Sequence, residues 1–215
     1  MVDELHIGVL ALQGAFREHC AALERCGARV TQVRRPLSSS PLAGLEQFDG
    51  MVLPGGESTT MGRLLVDEGL LEPLRLCGVR GMPVYGSCAG LILLSREVEG
   101  PDGALLDQPR LGLLDARVRR NAFGRQTDSF ETVLNVCGVA DDEEAVFIRA
   151  PIIVSCGPQV DVLARVEGPL GMSPAAVRQE NVLATSFHPE LTSDLRFHAY
   201  FLSLCRAWRE SGGAV

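Results

Sequence analysis

The sequence predicts an α/β protein: an open, mostly parallel sheet flanked by helices, with additional antiparallel strands in its second half. Three observations carry that expectation. Nearly unbroken apolar runs at LHIGVLAL, FDGMVLP and MPVYGS suit strands buried on both faces. Stretches of helical periodicity separate them, which is the alternation of strand–helix–strand units. Beyond Arg110, short β-type segments lie between turn signals, several alternating apolar and polar residues as half-solvated antiparallel strands do.

LHIGVLAL forms the first strand. FREHCAALERCG follows, with Phe16, Cys20 and Leu23 at i, i+4 and i+7 on one helical face and Gly27 as the C-terminal stop. ARVTQV is the second strand, PLSSSPLAGL a loop rich in Ser and Pro, and FDGMVLP the third strand. PGGEST breaks the chain sharply; TTMGRLLVDEG and EPLRLCGVRG then read as helices. MPVYGS is a buried strand that runs into a helix start at CAGLILLS. Gly, Pro and Asp dominate between Glu97 and Arg110, which predicts a loop. LLDARVRRN, SFETVLNV, EAVFIRAPIIVS, QVDVLARVEG, SPAAVRQE and NVLATSF are the short β segments, expected to join the sheet. SDLRFHAYFLSLCRAWRES closes the chain as an amphipathic helix, capped by Ser193 or Asp194, with Phe201, Leu202, Cys205 and Trp208 on one face.

With 215 residues, 46% of them hydrophobic and 22% charged, the chain can bury one sizeable core. Residues 1–215 are expected to form a single domain, without repeats or linkers. The net charge of −7 and the single small basic cluster, Arg117, Arg119 and Arg120 with Arg125 nearby, argue against nucleic acid and anionic membranes as partners. The N-terminal apolar run is short, ends near Gln13 and follows acidic rather than basic residues, unlike a signal peptide or a membrane span. The seven cysteines are odd in number and contain no CxxC pair. They read as reduced thiols of a cytoplasmic protein, without a disulfide framework or a metal site.

Cys88 stands apart from the other six. In GSCAG it sits at a strand-to-helix junction with Gly86 two residues before and Gly90 two after. That is the layout of a nucleophile elbow, with cysteine in place of serine. The turn lifts the sulfur clear of the sheet edge and places it at a helix N-terminus, where partial positive charge favours thiolate. The Ala89 N–H points toward the same place and suits an oxyanion. The plain alternative is a Gly-rich turn with an incidental thiol. Of the four histidines, His6 begins a buried strand, and His19 and His198 lie in helical stretches. His188 ends an apolar strand just before Pro189, with Glu190 two residues on. An extended chain there would project both side chains to one side, so Glu190 could orient the imidazole while its other nitrogen faces the thiol. LPGGESTTM follows the third strand and should emerge at the same edge, where Gly56 could supply a second oxyanion donor and Ser58 or Thr59 the cap of the next helix.

Taken in order, LPGGES, GSCAGL and SFHPE resemble the class I glutamine amidotransferases, with their Cys–His–Glu triad and flavodoxin-like fold. GVLALQGAFREH, PGGESTTM, RNAFGRQTDSFE, FIRAP and ATSFHPELTSD narrow the resemblance to the glutaminase subunits of pyridoxal 5′-phosphate synthases, across nearly the whole chain. Ser87 departs from the Thr often found there. The resemblance is weaker from Val98 to Arg110 and from Ile152 to Gln179. It implies hydrolysis of L-glutamine to glutamate and ammonia through a cysteinyl thioester, with Cys88, His188 and Glu190 catalytic and Gly56 and Ala89 holding the oxyanion. It further implies that Gly55, Gly56, Glu57, Arg120, Ile148 and Arg149 line the glutamine site. An arginine suits the substrate carboxylate, and a main-chain or Glu57 oxygen its ammonium. Read without the family, Arg120 and Arg149 would be structural ion pairs. No cofactor is implied. The ammonia would pass to a (β/α)-barrel synthase subunit for pyridoxal 5′-phosphate formation, with Gln13 near that interface and aligning the oxyanion loop when the partner is present. Another amidotransferase subunit, a cysteine hydrolase on a similar scaffold and a binding module with a dead site are the rival readings.

Overall fold

The computed structural model describes residues 4–120 and 129–213. In chain order the first half runs β1 (His6–Leu10), α1 (Phe16–Arg25), β2 (Arg29–Val33), α2 (Pro41–Leu45), β3 (Gly50–Leu53), α3 (Ser58–Asp67), α4 (Leu71–Val79), β4 (Val84–Ser87) and α5 (Ala89–Leu94). The second half contributes β5 (Ser95–Glu99), β6 (Leu114–Arg119), β7 (Phe130–Val136), β8 (Ala140–Phe147), β9 (Ile152–Cys156), β10 (Asp161–Gly168), β11 (Gly171–Gln179), β12 (Val182–Thr185) and α6 (Arg196–Glu210).

A seven-stranded sheet organises the molecule in the order β10-β11-β12-β4-β3-β1-β2. Its five strands from β12 to β2 are parallel; β10 and β11 extend it in antiparallel fashion. The apolar runs sit in the middle because both faces are covered. On one face Met51, Leu53 and Val84 pack with Met61, Leu65, Leu74 and Leu91 of α3, α4 and α5. On the other, Ile7, Val9, Val52 and Tyr85 pack with Leu23 of α1 and Phe197, Phe201 and Cys205 of α6. Each of those large side chains contributes roughly 1.5–3 kcal/mol by leaving water. Among the described residues no helix is long and apolar enough to cross a membrane.

Several expectations are corrected. Only β10 and β11 join the main sheet as antiparallel strands; β5-β6-β9 and β7-β8 form two separate small sheets. The expected loop PLSSSPLAGL contains α2, because Ser40 Oγ accepts from the Ala43 N–H and Pro41 begins the turn. The loop after Glu97 starts late, since β5 runs to Glu99 and pairs with β6. EAVFIRAPIIVS divides into β8 and β9, with Ile148–Pro151 between them. Glu57, not Ser58 or Thr59, caps α3. At α6 the first-turn N–H of Arg196 is met by Asp194 Oδ1 at 2.9 Å, although the helix is entered from Leu195.

The basic cluster is neutralised locally: Arg117 pairs with Glu97 and Glu99, and Arg119 with Glu99. Arg125 and all of RNAFGRQ except Arg120 lie outside the described residues.

Candidate active site

β3, β4 and β12 are neighbours and end at one edge of the sheet. The three segments singled out in the sequence leave that edge together. Cys88 follows β4 with φ 49° and ψ −99°, a left-handed conformation that a side chain rarely adopts. Its N–H is tied to the Thr185 carbonyl at 2.8 Å, so β12 fixes the turn. The two flanking glycines are explained by contact. A Cβ on Gly86 would lie 2.5 Å from the Gly90 carbonyl carbon, and one on Gly90 would lie 2.1 Å from the Leu53 oxygen of β3. The elbow is therefore packed against its own helix and against the neighbouring strand. Ala89 opens α5, so its N–H has no acceptor within the helix.

His188 follows β12, and its N–H bonds the Val146 carbonyl of β8 at 2.8 Å. Glu190 Oε1 lies 2.7 Å from His188 Nδ1. The expected pair forms, by a different geometry. The chain is not extended there: Pro189–Leu191 is a turn of 3-10 helix that curls the carboxylate back under the ring. Burial disfavours the imidazolium of His188, but the neighbouring Cys88 and then Glu190 more than offset it, raising the pKa to about 10. Burial also works against the Glu190 carboxylate. His19 and His188 outweigh it and hold the group below the usual carboxylate range.

A pocket of about 320 Å³ opens over these groups. Its wall contains Cys88 and His188 and every residue expected at the substrate site: Gly55, Gly56, Glu57, Arg120, Ile148 and Arg149. Gly55 has to lack a side chain, because a Cβ would lie 2.2 Å from His188 Cε1. The loop is held from the β1 side: Ala15 N–H donates to the Gly55 carbonyl at 2.9 Å, and Gln13 Oε1 accepts from the Glu57 N–H at 2.7 Å. Gln13 thus holds the Gly55–Glu57 loop in the chain by itself.

The charged residues of the pocket differ in their freedom. The Glu57 carboxylate accepts from Thr59 N–H at 3.2 Å, Thr60 N–H and Oγ1 at 2.7 Å each, and Arg120 Nη2 at 2.7 Å. Burial would raise its pKa, but those donors, led by Thr60, lower it to about 2. Its acceptor sites are filled, leaving main-chain oxygens to meet a substrate ammonium. Arg120 is bracketed further by Thr59 Oγ1 at 2.6 Å and Gln108 Oε1 at 2.8 Å. Arg149, at φ 46° on the turn after β8, is exposed and makes no ion pair among the described residues. Of the two arginines, Arg149 is the one available to a carboxylate.

Sequence reading missed several neighbours. Gly14, Ala15, Ser58, Ile92 and Leu191 complete the pocket wall. Ser87, noted only as a departure from Thr, places Oγ 3.4 Å from Glu190 Oε1. His19 and His198, set aside as helical, are fully buried behind Glu190. The available signal was polar residues, His19 among them, on an otherwise apolar helix face. Among the described residues no group of three or more His, Cys, Asp or Glu could hold a metal ion.

Residues 9–207 match the SNO glutamine amidotransferase family. The chain is 50% identical over 199 residues to a pyridoxal 5′-phosphate synthase subunit PdxT from Carboxydothermus hydrogenoformans, covering 92% of this chain and 96% of that one. It is 55% identical to the PdxT of Frankia alni, covering 94% and 95%. A crystal structure of a glutamine amidotransferase superposes with a TM-score of 0.82 at 46% identity, over 93% of this chain and 98% of that one. PurLQS from Thermotoga maritima shares the fold, with a TM-score of 0.62 at 18% identity over 95% and 99%. With its matched residues spanning nearly the whole sequence, the chain belongs to the SNO glutamine amidotransferase family.

Proposed function

We propose that the chain is the glutaminase subunit of a pyridoxal 5′-phosphate synthase, folded as one amidotransferase domain over residues 1–215 and working in the cytoplasm. The observation that carries this reading is one open pocket whose wall holds Cys88 and His188 together, with Glu190 Oε1 2.7 Å from His188 Nδ1 behind it. L-Glutamine enters with its carboxylate toward Arg149. The Cys88 thiolate attacks the side-chain amide carbon; a C–S bond forms and the carbonyl electron pair moves onto oxygen. The Ala89 and Gly56 N–H groups receive that oxyanion. The intermediate collapses, the C–N bond breaks, and His188 gives its proton to the leaving ammonia. His188 then takes a proton from water as the water attacks the thioester, and glutamate leaves with Cys88 restored. Glu190 keeps the Nδ1 proton of His188 in place throughout.

Ammonia is useful to a synthase only if it is captured before it is protonated in bulk water. The chain therefore docks its active-site edge on a (β/α)-barrel synthase subunit, with Gln13 and the oxyanion loop near the contact.

The test is glutamate release with and without that barrel subunit. Native protein should respond to the partner, and Cys88→Ala should lose at least about 1,000-fold in kcat. Unchanged release by Cys88→Ala would remove the nucleophile assignment. A partner that neither binds nor stimulates would remove the synthase reading and leave a glutaminase.

A further inference from the structure

Two buried histidines with no part in the steps above stand behind Glu190. His19 comes from α1 and His198 from α6, and both have no exposed surface. His19 Nδ1 lies 3.0 Å from His198 Nε2. His19 Nε2 lies 2.9 Å from Ser87 Oγ and 3.4 Å from Glu190 Oε2. Ser87 Oγ is in turn 3.4 Å from Glu190 Oε1, the atom that meets His188. The groups facing Glu190 are thus Tyr85 and Ser87 from β4, His19 from α1, His198 from α6 and His188 from its own turn.

The proton order in this string follows from its open end. Burial, and next the neighbouring His19, hold His198 far down, at about 3, so it carries one ring proton. His198 Nδ1 has no hydrogen-bond partner among the described residues. A buried lone pair without a partner is tolerated better than a buried N–H without one. The proton therefore sits on His198 Nε2 and is donated to His19 Nδ1. His19 then carries its own proton on Nε2 and donates it to Ser87 Oγ at 2.9 Å, with Glu190 Oε2 3.4 Å away and without a hydrogen bond among the described residues. Ser87 turns its hydroxyl hydrogen to Glu190 Oε1. The string thus runs from His198 through His19 and Ser87 to the carboxylate, from the side opposite His188.

We infer that His19, with its tautomer set by His198, is a positioning residue for glutamine hydrolysis: through Ser87 Oγ, and by its own 3.4 Å approach to Oε2, it clamps the Glu190 carboxylate in the orientation that receives His188 Nδ1–H. The same side chain ties α1, whose leading residue Ala15 holds the Gly55 carbonyl, to the acid of the triad.

This rests on the glutaminase reading, so the experiment includes a readout that needs no glutamine. Three variants separate the role of the Nε2–H. His19→Gln keeps an N–H near Nε2, His19→Asn keeps one only near Nδ1, and His19→Leu keeps neither. In the complex with the barrel subunit, the Asn and Leu variants should lower kcat about tenfold with KM changed less than about twofold, and the Gln variant should stay within about threefold of native. The pH profile of iodoacetamide labelling at Cys88, followed on its peptide by mass spectrometry, should shift for Asn and Leu and not for Gln. In a Glu190→Gln background, His19→Leu should cost less than about a further twofold, because the carboxylate it clamps is gone. Equal losses in both backgrounds, equal behaviour of Asn and Gln, or a change confined to KM would each overturn the inference. If the Leu variant does not fold, the Asn–Gln contrast decides. Native protein that releases no glutamate would overturn the glutaminase reading, and the labelling profiles would still settle the role of His19.

Discussion

Among the described residues, Glu190 and Glu143 both hold their carboxylates wholly screened from water, and they end in opposite states. Glu190, beneath the site, accepts from His188 and faces His19 and Ser87. Glu143, on β8, has no hydrogen-bond partner for either oxygen among the described residues; Arg196 Nε stands 4.0 Å away, with the guanidinium already engaged by Asp194 and Asp142. Glu190 is held below the usual carboxylate range. Burial, followed by the charge of Asp194, pushes Glu143 up to about 7, against the pull of Arg196. Burial alone therefore does not set the charge of a carboxylate; the donors that accompany it do. The arginines of the pocket repeat the lesson in reverse: among the described residues Arg120 is engaged by Glu57, Thr59 and Gln108 and Arg149 by no ion pair.

The largest expected effect breaks the partnered side of this contrast. Glu190→Gln should lower kcat by about 100- to 1,000-fold in the glutamate-release assay with the barrel subunit, because the amide can no longer hold the charged imidazole. Activity within threefold of native would make Glu190 a bystander. Next come the two arginines. Arg149→Ala should raise KM for glutamine by about tenfold or more with an unchanged melting temperature, while Arg120→Ala should lower the melting temperature as well. Equal melting behaviour of the two variants would erase the distinction drawn from their contacts.

The unpartnered side is read in stability. The pKa of Glu143 is raised on folding, so its contribution is fully present below the ordinary value of 4.5 and is lost as the pH rises through about 7. Glu143→Gln should therefore raise the melting temperature by a few degrees at pH 8 and leave it unchanged near pH 4.5. A gain of equal size at both pH values would point to packing, not ionisation. Glu190 carries the opposite sign: its stabilising contribution persists above the usual carboxylate range and is lost as the pH falls through its depressed folded value. The smallest effect belongs to Ser87→Ala, expected to lower kcat about twofold, since the 3.4 Å contact with Glu190 is long and His19 remains.

Much of the site was legible because its signals are local. GSCAG states its turn in five residues, and the turn forms where the spacing put it. His188 and Glu190 were paired correctly from their separation by two, although the reason was wrong: the proline opens a tight 3-10 turn instead of prolonging an extended strand. Glu57 was offered beside a main-chain oxygen as the ligand of an ammonium; the sequence left the two open because the donors that fill its carboxylate, Thr59 and Thr60 beside it and Arg120 far along the chain, are set by the folded loop. The antiparallel segments were identified one by one, but their division among three sheets was not. Alternation shows that a strand has two unlike faces without naming the strand beside it.

The sequence by itself determined the parallel core, the strand-to-helix elbow and the order of Cys88, His188 and Glu190, because periodicity and short spacing are written into contiguous residues. Tertiary structure alone decided the environment of that acid. His19 and His198 lie 179 positions apart, and Ser87 lies 68 from His19. They meet because α1 and α6 pack on the same face of the sheet, and no local pattern encodes that meeting. The folded chain thereby gives one oxygen of the first buried carboxylate its donors and leaves both oxygens of the other without any among the described residues.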